Sequence, residues 1–183
     1  MDIFPLPLLH TLIIWGTVVL QVVAVVLFIL LFTRETKVSL WVGKNALALS
    51  FILVLSAVLG SLYYSAIVGI VPCVLCWWQR VFMVPLIFLF GSALYRKQTG
   101  MLSGARILSF VGGGIALYHI LLPLFESIPV ICDVASTASC IEQPIMALGY
   151  ITIPVMSLTV FIMLILFTLH ARKTAALLIS AKS

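Results

Sequence analysis

Two cysteines separated by two residues, Cys73 and Cys76, are followed by a single arginine, Arg80, at the edge of a long apolar stretch. A pair at this spacing can cycle between dithiol and disulfide, and it can also form half of a metal site. A helix that begins at this point would direct its positive N-terminal end at Cys76 and would place Arg80 one turn further along. Both effects favour the thiolate of Cys76, so the segment indicates redox chemistry.

The rest of the sequence is that of an integral membrane protein. Hydrophobic residues make up 64% of the 183 residues and charged residues only 8%, which leaves too little polar surface to cover a soluble globule. Five uncharged runs are suited to crossing a bilayer as helices: residues 8–32, 45–68, 81–95, 107–125 and 145–170. The third is short unless Trp77 and Trp78 begin it as interfacial residues.

The predicted fold class is all-α integral membrane, a four-helix transmembrane bundle with one additional N-terminal transmembrane helix. The runs lack the alternation of apolar and polar residues that a membrane β-strand requires. We expect three segments: an extra helix and its following loop at 1–44, the four-helix core at 45–170, and a cytoplasmic tail at 171–183. The first run lacks a preceding cation, is long for a signal peptide and is not followed by Ala-x-Ala, so we expect it to remain as a helix.

The basic residues predict an orientation, because cytoplasmic loops of membrane proteins are enriched in lysine and arginine. Nine of the ten basic residues fall on the same side of the predicted spans, and Arg80 is the exception. The N-terminus is therefore predicted outside and the C-terminus in the cytoplasm. The net charge of +5 is therefore explained by basic residues that set the topology and contact anionic lipids of the bilayer, and this interpretation is preferred to nucleic-acid binding.

All four cysteines, Cys73, Cys76, Cys132 and Cys140, then lie on the outer side. That compartment is oxidising, so two pairs there suggest disulfides. One alternative is a pair of inert structural disulfides, although a loop closed over two residues stabilises a fold little. Another is a zinc site built from the four sulfurs, although the second pair lacks the spacing of a zinc knuckle. Redox chemistry is the favoured interpretation, with no metal expected.

Three segments resemble the bacterial disulfide-bond formation proteins of the DsbB type, and within them the BdbC-like branch. Residues 72–80 resemble the family's Cys-x-x-Cys signature with its arginine. Residues 115–119 (Ile-Ala-Leu-Tyr-His) resemble a motif of the fourth span, and residues 149–158 (Gly-Tyr-Ile-Thr-Ile-Pro-Val-Met-Ser-Leu) resemble the start of the last span. The resemblance covers roughly residues 45–170. Gln79 stands where the best-known members have an acidic residue, and the run 8–32 has no counterpart in the four-helix core.

The resemblance implies a thiol:quinone oxidoreductase of the bacterial cytoplasmic membrane. Such a protein takes electrons from a thioredoxin-fold thiol oxidase outside the membrane, of the DsbA or BdbD kind, and passes them to a quinone, either ubiquinone or menaquinone. Cys132 resembles the loop cysteine that the partner's thiolate attacks, and Cys140 resembles its mate. Cys73 and Cys76 resemble the membrane-proximal pair, with Cys76 facing the quinone ring and Arg80 polarising a quinone oxygen.

His119 is a further candidate for the quinone site, because quinone reduction consumes two protons and an ionisable side chain within a span is costly. A neutral histidine bonded to a neighbouring helix is the other interpretation. Two alternative functions stay open. A quinone reductase of the vitamin K epoxide reductase type shares the chemistry, but its loop cysteines precede the Cys-x-x-Cys pair. A non-enzymatic membrane subunit would use its cysteines as structural disulfides or as metal ligands.

Overall fold

A computed structural model describes residues 7–33, 36–96, 100–124 and 145–180. Within those ranges the chain forms five long helices: α1 (Pro7–Phe32), α2 (Lys37–Leu62), α3 (Val74–Arg96), α4 (Leu102–Leu121) and α5 (Ile153–Ser180). A π-helical turn, Tyr63–Ile67, continues α2, and a 3-10 turn, Leu122–Leu124, continues α4. Each long helix has the length and apolar composition to cross a membrane. The predicted all-α membrane fold, with a helix added before four others, is confirmed.

The last helix, α5, lies at the centre of the bundle. It packs against α1, α2 and α4, while α3 contacts α2 and α4. The most apolar stretch of α5 is 61% buried, whereas that of α1 is only 11% buried. Because α1 exposes most of its surface, it is a peripheral helix added to the face that α2 and α5 form.

The middle of the bundle is closely packed. Its apolar cluster includes Val54, Leu86, Phe90, Phe161 and Leu164, each at most 1% exposed. The α4 backbone approaches α5 so closely that a β-carbon at Gly112 would overlap the ring of Phe161. Small residues allow membrane helices to approach in this way, and dispersion contacts then hold them together. A larger residue at position 112 would therefore force the Phe161 ring to move.

One end of the bundle carries Lys37, Lys44, Arg96, Arg106 and Lys173 and is called the basic end. Two helices extend further towards this end than their apolar runs predict. The α2 helix begins at Lys37 rather than at residue 45, and the side chain of Thr36 caps it by accepting from the Ser39 N–H. The α5 helix continues to Ser180, so the predicted tail is helical over most of its length. An uncharged run marks only the hydrocarbon layer, whereas a helix continues into the headgroup region, where lysine side chains reach water.

The opposite end of the bundle, where α3 and α5 begin, is called the cysteine end below. The α3 helix begins at Val74 rather than at residue 81, because the Cys73 carbonyl already accepts a hydrogen bond from the Trp77 N–H. The α5 helix begins at Ile153 rather than at residue 145. Leu148 and Gly149 adopt positive φ angles of 51° and 77°, which makes a turn that a helix cannot include.

Candidate redox site

Cys73 and Cys76 lie where α3 begins, and α4 brings a histidine to them. Cys73 immediately precedes α3 and is 5% exposed, whereas Cys76 lies in the first turn and is half-buried. Their Sγ atoms are 3.3 Å apart in the reduced form. The last turn of α4 places His119 Nε2 at 3.8 Å from Cys73 Sγ. Three groups that can exchange protons are therefore in contact at the cysteine end.

Gln79 orients the histidine from the next turn of α3. Its side chain is 2% exposed, and its Nε2 lies 3.2 Å from His119 Nδ1. When the amide donates to Nδ1, the proton of a neutral imidazole lies on Nε2, the atom that faces Cys73. The expected bond to a neighbouring helix is therefore present, and the same ring also contacts a sulfur. The two interpretations of His119 are compatible.

The surroundings of Cys73 stabilise its thiolate. The pKa of the Cys73 thiol is lowered to about 4, and the hydrogen bond with Cys76 is the largest cause. Burial acts in the opposite direction, and the contact with His119 also contributes to the lowering. The sequence argument placed the thiolate on Cys76 through the helix dipole and Arg80. In the structure the favoured thiolate is on Cys73, because both Cys76 and His119 can donate to its sulfur.

Arg80 lies beside the cysteine pair, and none of the described residues offers a carboxylate to its guanidinium. Its Nε donates to Ser61 Oγ at 2.8 Å, and its Nη2 donates to the Ser61 carbonyl at 2.9 Å. Its guanidinium also lies 5.4 Å from the centre of the Trp77 ring. All five acidic residues of the chain fall outside the described ranges. Within those ranges, the positive charge is therefore held by dipoles and an aromatic face.

These side chains surround one cavity of about 60 Å³, called the sulfur cavity below. The polar groups that line it include Cys73, Cys76, Gln79, Arg80, His119, Ser61 and Tyr64. Its apolar wall includes Ile70, Met83 and Ile153. A thiol pair, a cation and an imidazole in contact with sulfur thus share one partly apolar space, which suits transfer of electrons and protons to a ligand with polar oxygens.

The structure brings four of the predicted site residues to this cavity: Cys73, Cys76, Arg80 and His119. The other two, Cys132 and Cys140, lie outside the described residues. Sequence reasoning did not identify Ser61, Tyr64 or the contact that Gln79 makes with His119. The sequence did offer a signal for Ser61 and Gln79, because each is a polar residue near the end of an apolar helix. Trp78 is 51% exposed, which agrees with its interpretation as an interfacial anchor.

The same cluster could hold a metal ion. The candidate ligand atoms of Cys73, Cys76 and His119 all lie within 4.8 Å of one another. Thiolate and imidazole are ligands that Zn²⁺ prefers, and three protein ligands leave a fourth position open. The donor set is therefore compatible with zinc as well as with thiol–disulfide exchange.

Comparisons with known proteins show which family the chain resembles. The family profile described as disulfide bond formation protein DsbB matches residues 43–171. The SPbeta prophage-derived disulfide bond formation protein B of Bacillus subtilis is 36% identical over 118 residues, which cover 64% of this chain and 79% of that protein. Disulfide bond formation protein C of Bacillus subtilis is 36% identical over 118 residues, covering 64% and 86%. Probable disulfide formation protein C 2 of Bacillus cereus is 32% identical over 127 residues, covering 69% and 90%.

No solved structure matches the chain. The family match includes all of α3 and α4, α2 from residue 43 onward and α5 as far as residue 171, and it leaves out α1. It also contains the cysteine pair, Arg80 and His119. The chain therefore belongs to the DsbB family of disulfide bond formation proteins.

Proposed function

We propose that the protein is a membrane thiol:quinone oxidoreductase that reoxidises a thioredoxin-fold disulfide donor outside the cytoplasm. The observation that carries this proposal is the meeting of Cys73, Cys76, Arg80 and His119 at one cavity. Family membership supports a role in disulfide bond formation. It also favours this function over a quinone reductase of the vitamin K epoxide reductase type, in agreement with the order of the cysteines along the chain.

In the proposed cycle, the partner's dithiol loses two electrons and two protons as it becomes a disulfide. The partner's thiolate attacks Cys132, breaks a bond between Cys132 and Cys140, and is then released as the partner's disulfide forms. The resulting dithiol exchanges with a Cys73–Cys76 disulfide through a mixed disulfide, which leaves Cys73 and Cys76 reduced. The lowered pKa of the Cys73 thiol makes it a good leaving group in that exchange.

The sulfur cavity suits a quinone headgroup in its chemistry. Arg80 offers a positive charge to an oxygen, and Met83 and Ile153 supply an apolar wall for a ring. A bound quinone would supply a sink for two electrons and two protons. The residues of the chain would hold Cys76 near that ring, stabilise charge through Arg80, and keep a proton on His119 Nε2 next to sulfur. Whether the quinone is ubiquinone or menaquinone stays open.

The proposal includes an orientation and a division of the chain. The cysteine end faces the outside of a bacterial cytoplasmic membrane, and the basic residues at the opposite end face the cytoplasm. A reducing partner can then reach the cysteines without crossing the bilayer. Residues 45–170 form the catalytic core, preceded by the extra helix of segment 1–44 and followed by the segment 171–183.

The test measures quinone absorbance over time with purified protein, added quinone and a reduced thioredoxin-fold thiol oxidase. Wild-type protein is compared with Cys76→Ser and with Trp78→Phe, a change on the exposed surface of the same helix. We expect absorbance to fall with wild type and with Trp78→Phe, and to stay at the rate without enzyme with Cys76→Ser. Equal rates for wild type and Cys76→Ser would disprove an electron path through Cys76.

A non-enzymatic metal-binding role is the second candidate function, supported by the arrangement of Cys73, Cys76 and His119. It predicts about one tightly held zinc ion per chain in protein purified without chelator, and loss of that zinc in His119→Phe. It also predicts that quinone is not reduced. Zinc-free protein that reduces quinone would exclude this role.

A further inference from the structure

A second cavity lies beside the sulfur cavity and involves the extra helix α1. It measures about 220 Å³ and lies between α1, α2 and α5. We call it the side cavity, and its walls include Ile13, Gly16 and Leu20 from α1 and Ala57 and Gly60 from α2. The α1 residues fall outside the part of the chain that matches the family profile. The side cavity is therefore partly built from a helix that the DsbB family profile does not include.

The packing of α1 explains why a cavity forms at this level. In its second half, Ala24 and Leu27 are buried against α2 and α5, in a cluster that includes Val42 and Met163. In its first half, Gly16 is exposed, and a β-carbon there would meet nothing within 4 Å. A β-carbon at Gly60 on the α2 wall would be equally free of contacts. The side cavity therefore has an open glycine in its α1 wall and another in its α2 wall.

Polar contacts hold α1 in this position. The Gln21 amide donates to Thr159 Oγ1 on α5 at 3.3 Å and accepts from the Tyr150 hydroxyl at 2.8 Å. His10 Nδ1 lies 3.1 Å from the Tyr64 hydroxyl. Hydrogen bonds between membrane helices add to packing where small residues meet. Because these contacts lie along the same part of α1 as the cavity, the open space is a maintained feature of the fold.

The walls of the side cavity are suited to hydrocarbon. The hydroxyl groups of Thr17, Ser56 and Thr159 each donate to a backbone carbonyl of their own helix. Their donor capacity is therefore used within the protein, and the cavity is lined mainly by methyl and methylene groups. An apolar cavity of about 150 Å³ is enough to bind benzene, so this volume accepts several carbon atoms of an apolar chain.

The two cavities share Ser61, Tyr64, Met83, Ile153 and Ser157 in their walls. The sulfur cavity alone, at about 60 Å³, is small for a substituted ring that carries a chain. A ligand with a polar headgroup at Arg80 would extend its apolar part into the adjoining space. These shared wall residues place the side cavity next to the sulfur cavity, which favours one occupant over a lipid acyl chain, namely a chain attached to the headgroup in the sulfur cavity.

We infer that α1 forms one wall of a binding site for the polyprenyl chain of the quinone, and that the gap at Gly16 and Gly60 connects this site to the bilayer. The inference rests on the proposed function and adds a role for the extra helix. Bilayer hydrocarbon is as apolar as the cavity, so affinity for the chain must come from close packing of the cavity walls around it, which also fixes the path of the chain away from the ring.

The test compares the binding of a prenylated quinone with that of the same ring without its chain. Gly16→Phe fills the side cavity, and Gly16→Ala adds only a β-carbon. Gly114→Phe adds the same ring at an exposed glycine on α4, where a β-carbon would meet nothing within 4 Å. Bound quinone is extracted and quantified after gel filtration, and unfolding temperatures check the fold. Gly60→Phe fills the cavity from α2 and replaces Gly16→Phe should that variant fail to fold.

We expect Gly16→Phe to weaken binding of the prenylated quinone at least about tenfold, equivalent to about 1.4 kcal/mol. Binding of the ring alone should change less than about twofold, and Gly16→Ala and Gly114→Phe should match wild type. Equal binding of the prenylated quinone by wild type, Gly16→Phe and Gly60→Phe would overturn the inference. Loss of co-purified acyl lipid with unchanged quinone binding would assign the cavity to lipid instead. Wild type that binds neither quinone would overturn the proposed function itself.

Discussion

The cysteine end and the middle of the bundle use opposite kinds of interior. At the cysteine end, buried polar groups such as Gln79 and His119 are paired with each other around open space. In the middle, Leu86 and Phe161 are fully buried among apolar neighbours. The helices are so close at Gly112 that no space is left there for a side chain. A redox site requires space for a ligand and polar partners for its buried polar groups, whereas association of membrane helices requires close packing.

The two regions should therefore respond differently to substitution. Changes at the cysteine end should alter rates while leaving the fold intact, because the side chains there border a cavity. Changes in the middle should alter stability while leaving the chemistry of the folded fraction intact. Three predictions test this separation.

Arg80→Met should have the largest effect on rate. Removing a charge that stabilises developing negative charge in a water-poor site costs roughly 10²–10³-fold in turnover. The hydrogen bonds to Ser61 would also be lost, but the helix itself should persist. The measurement is quinone reduction at saturating partner concentration, beside the unfolding temperature of each protein.

Lys44→Met is the matched control, because it removes a cation from α2 near the opposite end of the bundle. It should leave turnover within about twofold of wild type, since screened or distant charges contribute little. Equal losses in the two variants would mean that Arg80 acts only through net charge, and the comparison between the regions would lose its basis.

Gly112→Leu should destabilise the folded protein by about 1–3 kcal/mol through overpacking against Phe161. Gly114→Leu adds the same side chain two residues away, where a β-carbon meets nothing within 4 Å. The thermal unfolding midpoint in detergent should fall for the first variant and stay unchanged for the second. A shared midpoint would show that the middle of the bundle is less tightly packed than its contacts indicate.

Gln79→Leu should lower turnover roughly tenfold, the equivalent of one hydrogen bond to His119. It should also raise the pKa of the Cys73 thiol, because an unoriented His119 donates less effectively to the sulfur.

In wild type, alkylation of Cys73 should stay fast from neutral pH downward and be lost as pH falls through about 4, because the lowered pKa keeps the thiolate populated above that value. The other ionisable groups that line the cavity are Cys76, His119, Arg80 and Tyr64.

The measurement is the rate of iodoacetamide incorporation at Cys73, followed by peptide mass spectrometry from acid to alkaline pH. Gln79→Glu is the second variant, because a carboxylate accepts the Nδ1 proton and reverses the polarity of the contact. A wild-type midpoint near the ordinary thiol value of about 8.5 would contradict the proposed stabilisation of the Cys73 thiolate.

Much of the fold followed from the sequence alone. Long uncharged runs must become helices in a bilayer, because every backbone polar group needs a partner within its own segment. The ends of the helices were less predictable. Thr36 starts α2 and the turn at Leu148 and Gly149 delays α5, and both depend on local hydrogen bonds and backbone angles that hydropathy does not register.

The candidate site was also partly readable from the chain. Spacing identified Cys73, Cys76 and Arg80, since all three lie on one short segment that begins a helix. The polar character of a histidine within a span drew attention to His119. Pairing with particular neighbours could not be read in the same way, because Gln79 and His119 are 40 positions apart and meet only when α3 packs on α4.

Composition and local spacing were enough to establish the membrane class, the number of spans and the chemical groups available for redox work. Tertiary packing was needed to show that the thiolate is favoured on Cys73 and that α1 and α2 enclose a second cavity. Both features depend on distances between residues far apart in the chain. Those distances are set by how the helices pack, to which Gly112, Gly16 and Gly60 contribute through the side chains they lack.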